Sequence, residues 1–481
     1  MPLREQRVGM EKEIIKEERY LKSVDAAQRI AQAVKETGGR AFYVGGCVRD
    51  TLMDRPGKDI DIEVHGVSAE KLEAILQGIG PCRSVGKSFG IYSIDHLDLD
   101  IALPRKEHCT GKGHKDIAVS TDPYLGYEKA AQRRDFTVNA MMQDILTGEI
   151  LDYFGGRKDL EMGIIRHVEP MTFADDPLRV LRAAQFAARF GFSVAEDTID
   201  LAKKADLNAL ASERIAEELK KALLRSEKPS VFFEVLRKMD QGRDWFKPVF
   251  DLIGVPQDPS FHSEGDAWTH TLLVLDAAAS ERERAEEPYG FMLSALLHDI
   301  GKSVTVSFDG KRIHAFGHEQ AGAEMERELP YLKEKKLLRY VQNMTLLHMR
   351  PNMMVAQNSS DKGFCRLFDE SVCPEDLLLI AKADHLGRGS AKPYKETEAL
   401  LRKKLAIYRE RMALPCVTGD DLLQNGFAPG KIYAEALALG HKLQLAGIPK
   451  QEALKAVINI TKSSERKKLR KPGASGNKSG L

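Results

Sequence analysis

The stretch GGCVRDTLMDRPGKDIDIEVHG (45–66) decides how this chain is read. It overlaps the end of AFYVGG (41–46), an apolar run closing in glycines, passes through a helix-like start, CVRDTLM, and enters the alternating strand DIDIEV (59–64). Backbone N–H groups at a strand-to-helix corner such as Gly45-Gly46, with a helix dipole behind them, can hold phosphate; a tight turn is the plainer alternative. Side chains on a strand alternate with period two, so Asp59 and Asp61 share a face. Two like charges so close call for a cation, and hard oxygen ligands suit Mg²⁺ carrying substrate phosphates. LDLDIAL (97–103) repeats the spacing with Asp98 and Asp100. Asp100 is the candidate third carboxylate from a neighbouring strand, with a solvated strand face as the alternative.

Outward from this stretch, the chain has 481 residues, room for about three domains. Its 72 Lys plus Arg nearly cancel 71 Asp plus Glu, leaving +1, so a uniformly basic polyanion binder is excluded. No run approaches the ~20 apolar residues of a membrane span, and the charged N-terminus has no signal-peptide core. Six cysteines without a CxxC pair argue against a disulfide scaffold or zinc knuckle and fit a reducing, cytoplasmic setting.

The pattern predicts an α+β chain. Residues 1–24 read as a charged helical extension and 25–160 as a mixed domain built on a sheet. Residues 161–250 are helical: DDPLRVLRAAQFAARF repeats apolar positions at three and four, and SERIAEELKKALL opens with a capping-box start at Ser212 and Glu213. The Pro- and Gly-bearing segment 251–262 opens a helical, histidine-rich block, 251–390. Residues 391–460 are helical with one turn at NGFAPGK, and the Lys-, Ser- and Gly-rich tail 461–481 is expected to be disordered.

Arg133, Arg134, Asp135 and Asn139 fall in RRDFTVNAMMQD (133–144), where a salt-bridged helix face is the bland reading. Asp176 and Arg179 are three apart on a predicted helix, with Arg182 continuing that face, so an intrahelical ion pair is the alternative there. In the second half, His270, His298-Asp299, His318, His348 and Asp384 lie on successive helical segments. A single helical histidine is usually a packed one, but imidazoles and carboxylates gathered in a bundle suit a divalent transition metal, Mg²⁺ or Mn²⁺. Lys302 is placed either to steady a phosphate or simply as an exposed residue after a glycine turn.

The 45–66 stretch resembles the signature of the DNA polymerase β nucleotidyltransferase superfamily, and within it the bacterial class II tRNA nucleotidyltransferases (CCA-adding enzymes) and the related poly(A) polymerases. The likeness continues through GKSFGIY (86–92), DIALPRKE (100–107), RRDFTVNAMMQD, LDYFGGRKDL (151–160) and FADDPLRVLRAAQFAARFGF (173–192). The order H…HD…D, with HDIGK its most specific fragment, is similar to the HD phosphohydrolase superfamily. The HD block favours the CCA-adding group, since bacterial poly(A) polymerases generally lack it.

The resemblance implies a polymerase-β-like sheet domain, a helical neck that selects the base and binds RNA, a helical HD domain and a helical C-terminal region that contacts tRNA. It gives Asp59 and Asp61, with Asp100, the Mg²⁺ site. Gly45, Gly46 and Arg49 fall on the triphosphate corner, and Arg133, Arg134, Asp135 and Asn139 on the ribose and phosphate motif. Asp176 and Arg179, helped by Arg182, read the base. His270, His298, Asp299 and Asp384 hold an HD metal, with His318 and His348 available for a second.

The expected activity is template-independent addition of CCA to the tRNA 3′ end from CTP and ATP with release of pyrophosphate, alongside phosphohydrolysis at the HD site. CC-only or A-only addition, or mainly an HD phosphohydrolase with an RNA-binding first half, are the alternatives. No membrane partner is expected, and monomer and homodimer are both open.

Overall fold

The computed structural model describes residues 3–55, 57, 59–84, 90–109, 117–389 and 393–469. It divides into two compact units, Met1–Trp245 and Phe246–Leu481. The helical segment after the sheet domain therefore joins the first unit, and the region after the histidine-rich block joins the second. Residues GKSF (86–89) of one quoted motif lie outside the described residues.

Among the described residues of the first unit, a short parallel pair, Ile164–Ile165 with Ser193–Val194, stands apart from nine other strands: β1 (Arg40–Val44), β2 (Ile60–His65), β3 (Cys82–Ser84), β4 (Ile91–Ile94), β5 (Leu99–Ala102), β6 (Arg105–Cys109), β7 (Ile117–Thr121), β8 (Met142–Asp144) and β9 (Ile150–Leu151). Seven form one sheet in the order β3-β4-β5-β2-β1-β8-β9, and β6 and β7 pair as a separate hairpin. β2 runs antiparallel to β1 and parallel to β5, with Asp61 opposite Asp100.

Alternation sorts the two faces of the sheet. Ile60, Ile62 and Val64 bury one face of β2 with Ile101 and Leu103 and with Ala27, Ile30 and Val34 of the helix Leu3–Glu36. Each fully buried Ile or Val of this kind contributes about 1.5–3 kcal/mol. That helix continues without a break past residue 24, so the N-terminal extension is the leading end of a core helix. The opposite face of β2 carries Asp61, Glu63 and His65, and the opposite face of β1 buries Phe42 and Val44 against Ala131, Ala140 and Met142.

After the sheet strands in the chain come three amphipathic helices packed on one another, Leu178–Phe190, Ser212–Arg225 and Ser230–Lys238, each burying an apolar stripe. Two expectations change here. The helix Ser212–Arg225 takes Ala211 as its N-cap, with no side-chain cap bond, so Ser212 is already helical and no capping box forms. Asp176 is not on a helix: one helix, Pro170–Asp175, ends before it and Leu178–Phe190 begins after it. Pro177 is the cause. A residue before proline is pushed out of the α region, and Asp176 sits at φ −123°, ψ 95°.

Among its described residues, the second unit is helical apart from a two-stranded hairpin. Helices Ala267–Ala279, Pro288–Leu297 and Pro374–Leu386 supply fully buried residues to its core, among them Val274, Leu275, Phe291, Leu296 and Ile380. Asp266 caps the first of these by accepting from the backbone N–H of Thr269. Helix Lys395–Ala413 packs Leu401 and Leu405 onto Phe364, Phe368 and Leu378. A smaller core of Val417, Leu422, Ala436, Ala453 and Val457 follows, entered through a capping box between Thr418 and Asp421. The last helix, Lys450–Leu469, carries regular structure into the stretch expected to be a disordered tail; residues 470–481 lie outside the described residues.

Candidate active sites

The corner between β1 and the helix Gly46–Leu52 needs its first glycine. Gly45 has φ +65°, and a Cβ there would meet Arg134 Nη1 at 3.2 Å and Asp61 Oδ2 at 3.9 Å. The glycine pair thus lies directly beside the first carboxylate. Asp59 immediately precedes β2, and the parallel register sets Asp100 next to Asp61, so the three predicted carboxylates converge. Their mutual repulsion is visible. Burial and the charges of Asp100 and Asp59 push the Asp61 carboxyl up, against the pull of Arg134. Burial and Asp59 push Asp100 up as well. Carboxylates that raise one another's proton affinity form a donor set that fits a hard divalent metal. Asp98 does not join them; it pairs with Arg19 at 2.7 Å.

A cavity of about 420 Å³ is lined by Gly45, Gly46, Arg49, Asp61, Arg133, Arg134, Asp135, Asn139, Asp176, Arg179 and Arg182, so every predicted nucleotide-binding residue reaches one space. Many are already tied to each other. Glu63, on the same face of the alternation as Asp61, is buried and accepts from Nη2 of both Arg133 and Arg134 at 3.2 Å, while His65 Nε2 lies 3.0 Å from its other oxygen. Burial would raise this carboxyl, but the His65 bond and the two arginine charges outweigh it and hold it at about 2. Asp135 accepts from Arg182 Nε at 2.8 Å and Asn139 Nδ2 at 2.9 Å. Asn139 Oδ1 in turn accepts from Arg49 Nη1 at 2.6 Å. Asp135 is therefore an organiser whose oxygens are engaged, and Arg49 is buried with its guanidinium also held by Asp50.

Asp176, freed from the helix by Pro177, accepts from the backbone N–H of Leu178 and faces Arg214 Nη2 at 3.3 Å. Arg179 donates to the carbonyl oxygen of Arg133 at 2.8 Å. Glu63 and Arg214 carry no role in the sequence reading. The signal for Glu63 was present, as the next odd position of D-I-D-I-E; Arg214 had none.

In the second unit, His270, His298, Asp299, His318, His348 and Asp384 are all buried and meet. Asp299 stands at the centre. Its Oδ2 lies 3.2 Å from His298 Nε2 and 3.6 Å from His270 Nε2, and its Oδ1 lies 3.3 Å from His318 Nε2 and 3.8 Å from His348 Nε2. Asp384 Oδ1 is 3.2 Å from His270 Nε2.

The imidazoles are oriented alike. Nδ1 of His298, His318 and His348 faces the carbonyl oxygens of Ala295, Ala315 and Thr345 at 2.7–2.9 Å. A carbonyl only accepts, so each Nδ1 carries the proton and each Nε2 presents a lone pair inward. His270 Nδ1 is held by Glu264 Oε1 at 2.8 Å, and Glu264 Oε2 accepts from the backbone N–H of Gly389, just beyond the helix bearing Asp384. Buried Nε2 atoms of His298 and His318 make no hydrogen bond. Four inward lone pairs among two carboxylates fit one or two divalent metals of the imidazole- and carboxylate-binding kind. Burial also holds the His348 imidazole down at about 3, neutral as a ligand must be.

HDIGK has a packing reason as well: a Cβ on Gly301 would sit 2.0 Å from the carbonyl oxygen of His318, so only glycine lets the segments carrying Asp299 and His318 approach. Lys302 is not an exposed residue; its Nζ bonds Asp299 Oδ2 at 2.6 Å and Gln257 at 2.7 Å. Glu264 escaped the sequence reading, because nothing in its spacing from His270 marks it.

Comparison with known proteins meets this geometry. The Poly A polymerase head domain matches residues 41–166 and the HD domain matches residues 267–389. Together they define a nucleotidyltransferase head in a chain that also carries an HD domain. The multifunctional CCA protein of Nitrosococcus oceani is 36% identical over 412 residues, covering 82% of this chain and 95% of that one. The chain belongs to this family of multifunctional CCA proteins and is a tRNA nucleotidyltransferase. The fold is shared with the Bacillus stearothermophilus CCA-adding enzyme in complex with CTP (TM-score 0.64, 21% identity, 92% of this chain and 98% of that one). It is shared too with the Thermotoga maritima CCA-adding enzyme complexed with tRNA (TM-score 0.60, 21% identity, 91% and 95%). No helix among the described residues is long and apolar enough to cross a membrane.

Proposed function

We propose that this chain, acting in the cytoplasm, adds C, C and A to the tRNA 3′ end from CTP and ATP, releasing pyrophosphate, and that its HD domain is a separate metal-dependent phosphohydrolase. One observation carries the first part: Asp61, which the parallel register pairs with Asp100, lies beside the Gly45 corner and lines the pocket that holds Asp176 and Arg179.

Asp59, Asp61 and Asp100 would hold Mg²⁺, which when bound supplies positive charge to the triphosphate and acidifies the attacking 3′-hydroxyl. Gly45 and Gly46 admit the phosphates close to the backbone. Arg133 and Arg134, steadied by Glu63, face them with fixed positive charge. Asp176 accepts from the exocyclic amine of cytosine or adenine, and Arg179 donates to the adjacent unprotonated ring nitrogen. Guanine and uracil offer a carbonyl and a ring N–H at those positions. They leave both protein groups unpaired, and a site built on hydrogen bonds rejects such a mismatch strongly. Asp135 and Arg182 keep this wall of the pocket in place.

For the second part, inward Nε2 atoms around Asp299 favour a bound metal that activates water toward a phosphoester. The purified protein is incubated with tRNAs ending in each partial 3′ sequence, with CTP or ATP alone. Stepwise extension of every end by the correct nucleotide is expected. Extension by only C or only A would replace full CCA addition with a divided activity.

A further inference from the structure

The helix Pro374–Leu386 carries Asp384 and runs out into Gly387-Arg388-Gly389. Both glycines permit close approach. A Cβ on Gly387 would sit 2.4 Å from Val274 Cγ2 and 2.8 Å from the Val274 backbone nitrogen, and one on Gly389 would sit 3.0 Å from Ser263 Oγ. The backbone N–H of Gly389 also donates to Glu264 Oε2 at 3.0 Å. The chain on either side of Arg388 is therefore pinned to the helix bearing His270 and to the residues just before it.

From this seat Arg388 reaches a cavity of about 730 Å³ that Gln257, Asp299, His318, His348 and Asp384 also line. Its Nη2 donates to Asp384 Oδ2 at 3.1 Å, while Asp384 Oδ1 faces His270. Its Nε is buried and makes no hydrogen bond among the described residues. Gln257 repeats the pattern from the other carboxylate. Lys302 bonds both Asp299 Oδ2 and Gln257 Oε1. An ammonium only donates, so the amide oxygen is the atom turned to Lys302 and the NH₂ group remains as a donor. That Nε2 is likewise buried without a partner among the described residues, and Gln257 as a whole is only 7% exposed.

A buried N–H donor left without an acceptor is rare and costly. Here two of them belong to residues lining one cavity, each residue tied to a carboxylate of the cluster. An anion that brings oxygens into the cavity satisfies both. A guanidinium suits an anion with several equivalent oxygens, and the amide adds a neutral donor to it.

We propose that Arg388 and Gln257 form the clamp of the HD site that holds the non-bridging oxygens of the phosphoryl group under attack. The proposal rests on the phosphohydrolase reading above and adds to it two residues that touch the substrate. In the hydrolysis they serve, the water oxygen bonds to phosphorus, the ester P–O bond breaks, and the proton lost by water ends on the released hydroxyl. The clamp donates hydrogen bonds to the oxygens on which charge builds and gives up no proton.

The test compares the full-length protein with its R388A, R388K and Q257L variants, using 2′,3′-cyclic AMP as the probe and inorganic phosphate as the inhibitor. R388A is expected to lower kcat/KM about 10²–10³-fold and to weaken inhibition by phosphate about tenfold or more, with metal content and CTP incorporation unchanged. R388K should recover only part of the loss, and added guanidinium should restore part of the R388A rate. Q257L should cost about tenfold. Unchanged kinetics in R388A overturn the clamp, as does a fall matched by loss of metal, which would make Arg388 a prop for Asp384. Unchanged kinetics in Q257L remove Gln257 from it. A wild-type protein that does not hydrolyse the probe overturns the phosphohydrolase reading instead. The clamp is then judged by titrating inorganic phosphate into the metal-loaded protein: binding lost in R388A and kept in R179A supports it, and the absence of such binding overturns it.

Discussion

In the first unit three carboxylates meet because two parallel strands set Asp61 opposite Asp100, with Asp59 one step before the strand. In the second, four imidazoles meet because backbone carbonyls and one glutamate turn each Nε2 inward around Asp299. The first arrangement is a line of carboxylates whose burial and like charges raise their proton affinity. The second is a buried cage whose ligands are fixed before any metal binds. A site that exchanges metal with each incoming triphosphate suits the open line, and a site that keeps its metal suits the cage. Cationic side chains divide the same way. Arginines crowd the first pocket, where Glu63 and Asp135 keep them aimed, whereas Lys302 and Arg388 at the second are bonded to the candidate ligands Asp299 and Asp384 themselves.

The contrast predicts a clean separation. His298→Ala removes an inward lone pair from the cage, and phosphoester hydrolysis should fall about 10³-fold, with metal content, while CTP incorporation stays at the wild-type rate. A parallel fall in incorporation would mean that the two sites are not independent. Asp176→Asn exchanges an acceptor for an amide that can also donate. Incorporation of both CMP and AMP should drop about 10–100-fold, with UMP or GMP misincorporation rising relative to them, as single-turnover assays with each triphosphate would show.

These two sites were legible in the sequence to different depths. Asp59, Asp61 and Asp100 could be placed together because strands alternate and LDLDIAL repeats the spacing of DIDIEV. Six residues of the cage were named, since helical histidines recurring through a block are unusual. What stayed hidden depends on contacts between distant segments. Glu264 acts only through its bonds to His270 and Gly389, and Arg214 reaches Asp176 across 38 residues. The apolar period runs through Asp176 and predicts one continuous helix, which Pro177 breaks. The Ser212 cap failed for a related reason: sequence places a cap only to within a residue or two, and here the helix begins at Ser212 itself, one residue after Ala211.

Smaller effects sharpen the comparison further. Glu264→Ala frees His270 to rotate, and affinity for the HD metal should weaken about 10–100-fold, with Glu264→Gln in between; equilibrium dialysis against a chelator measures it. The Glu63 carboxyl, held at about 2 in the folded chain against an ordinary 4.5, stabilises the first unit fully above pH 4.5 and loses that contribution as pH falls toward 2. Thermal melting of Glu63→Gln should show a lower midpoint at neutral pH and a flatter decline below pH 4.5. A slope unchanged from wild type would remove Glu63 as the anchor of the arginine pair.

The central claim, that the strand-register carboxylates and not the histidine cage build the tRNA end, is tested most directly by Asp59→Ala and Asp61→Ala in the full-length protein. CTP and ATP incorporation and cyclic-phosphate hydrolysis are measured on the same preparations. The account predicts loss of incorporation into tRNA by about 10³-fold or more, with hydrolysis and bound HD metal unchanged. Incorporation that survives either substitution would contradict it.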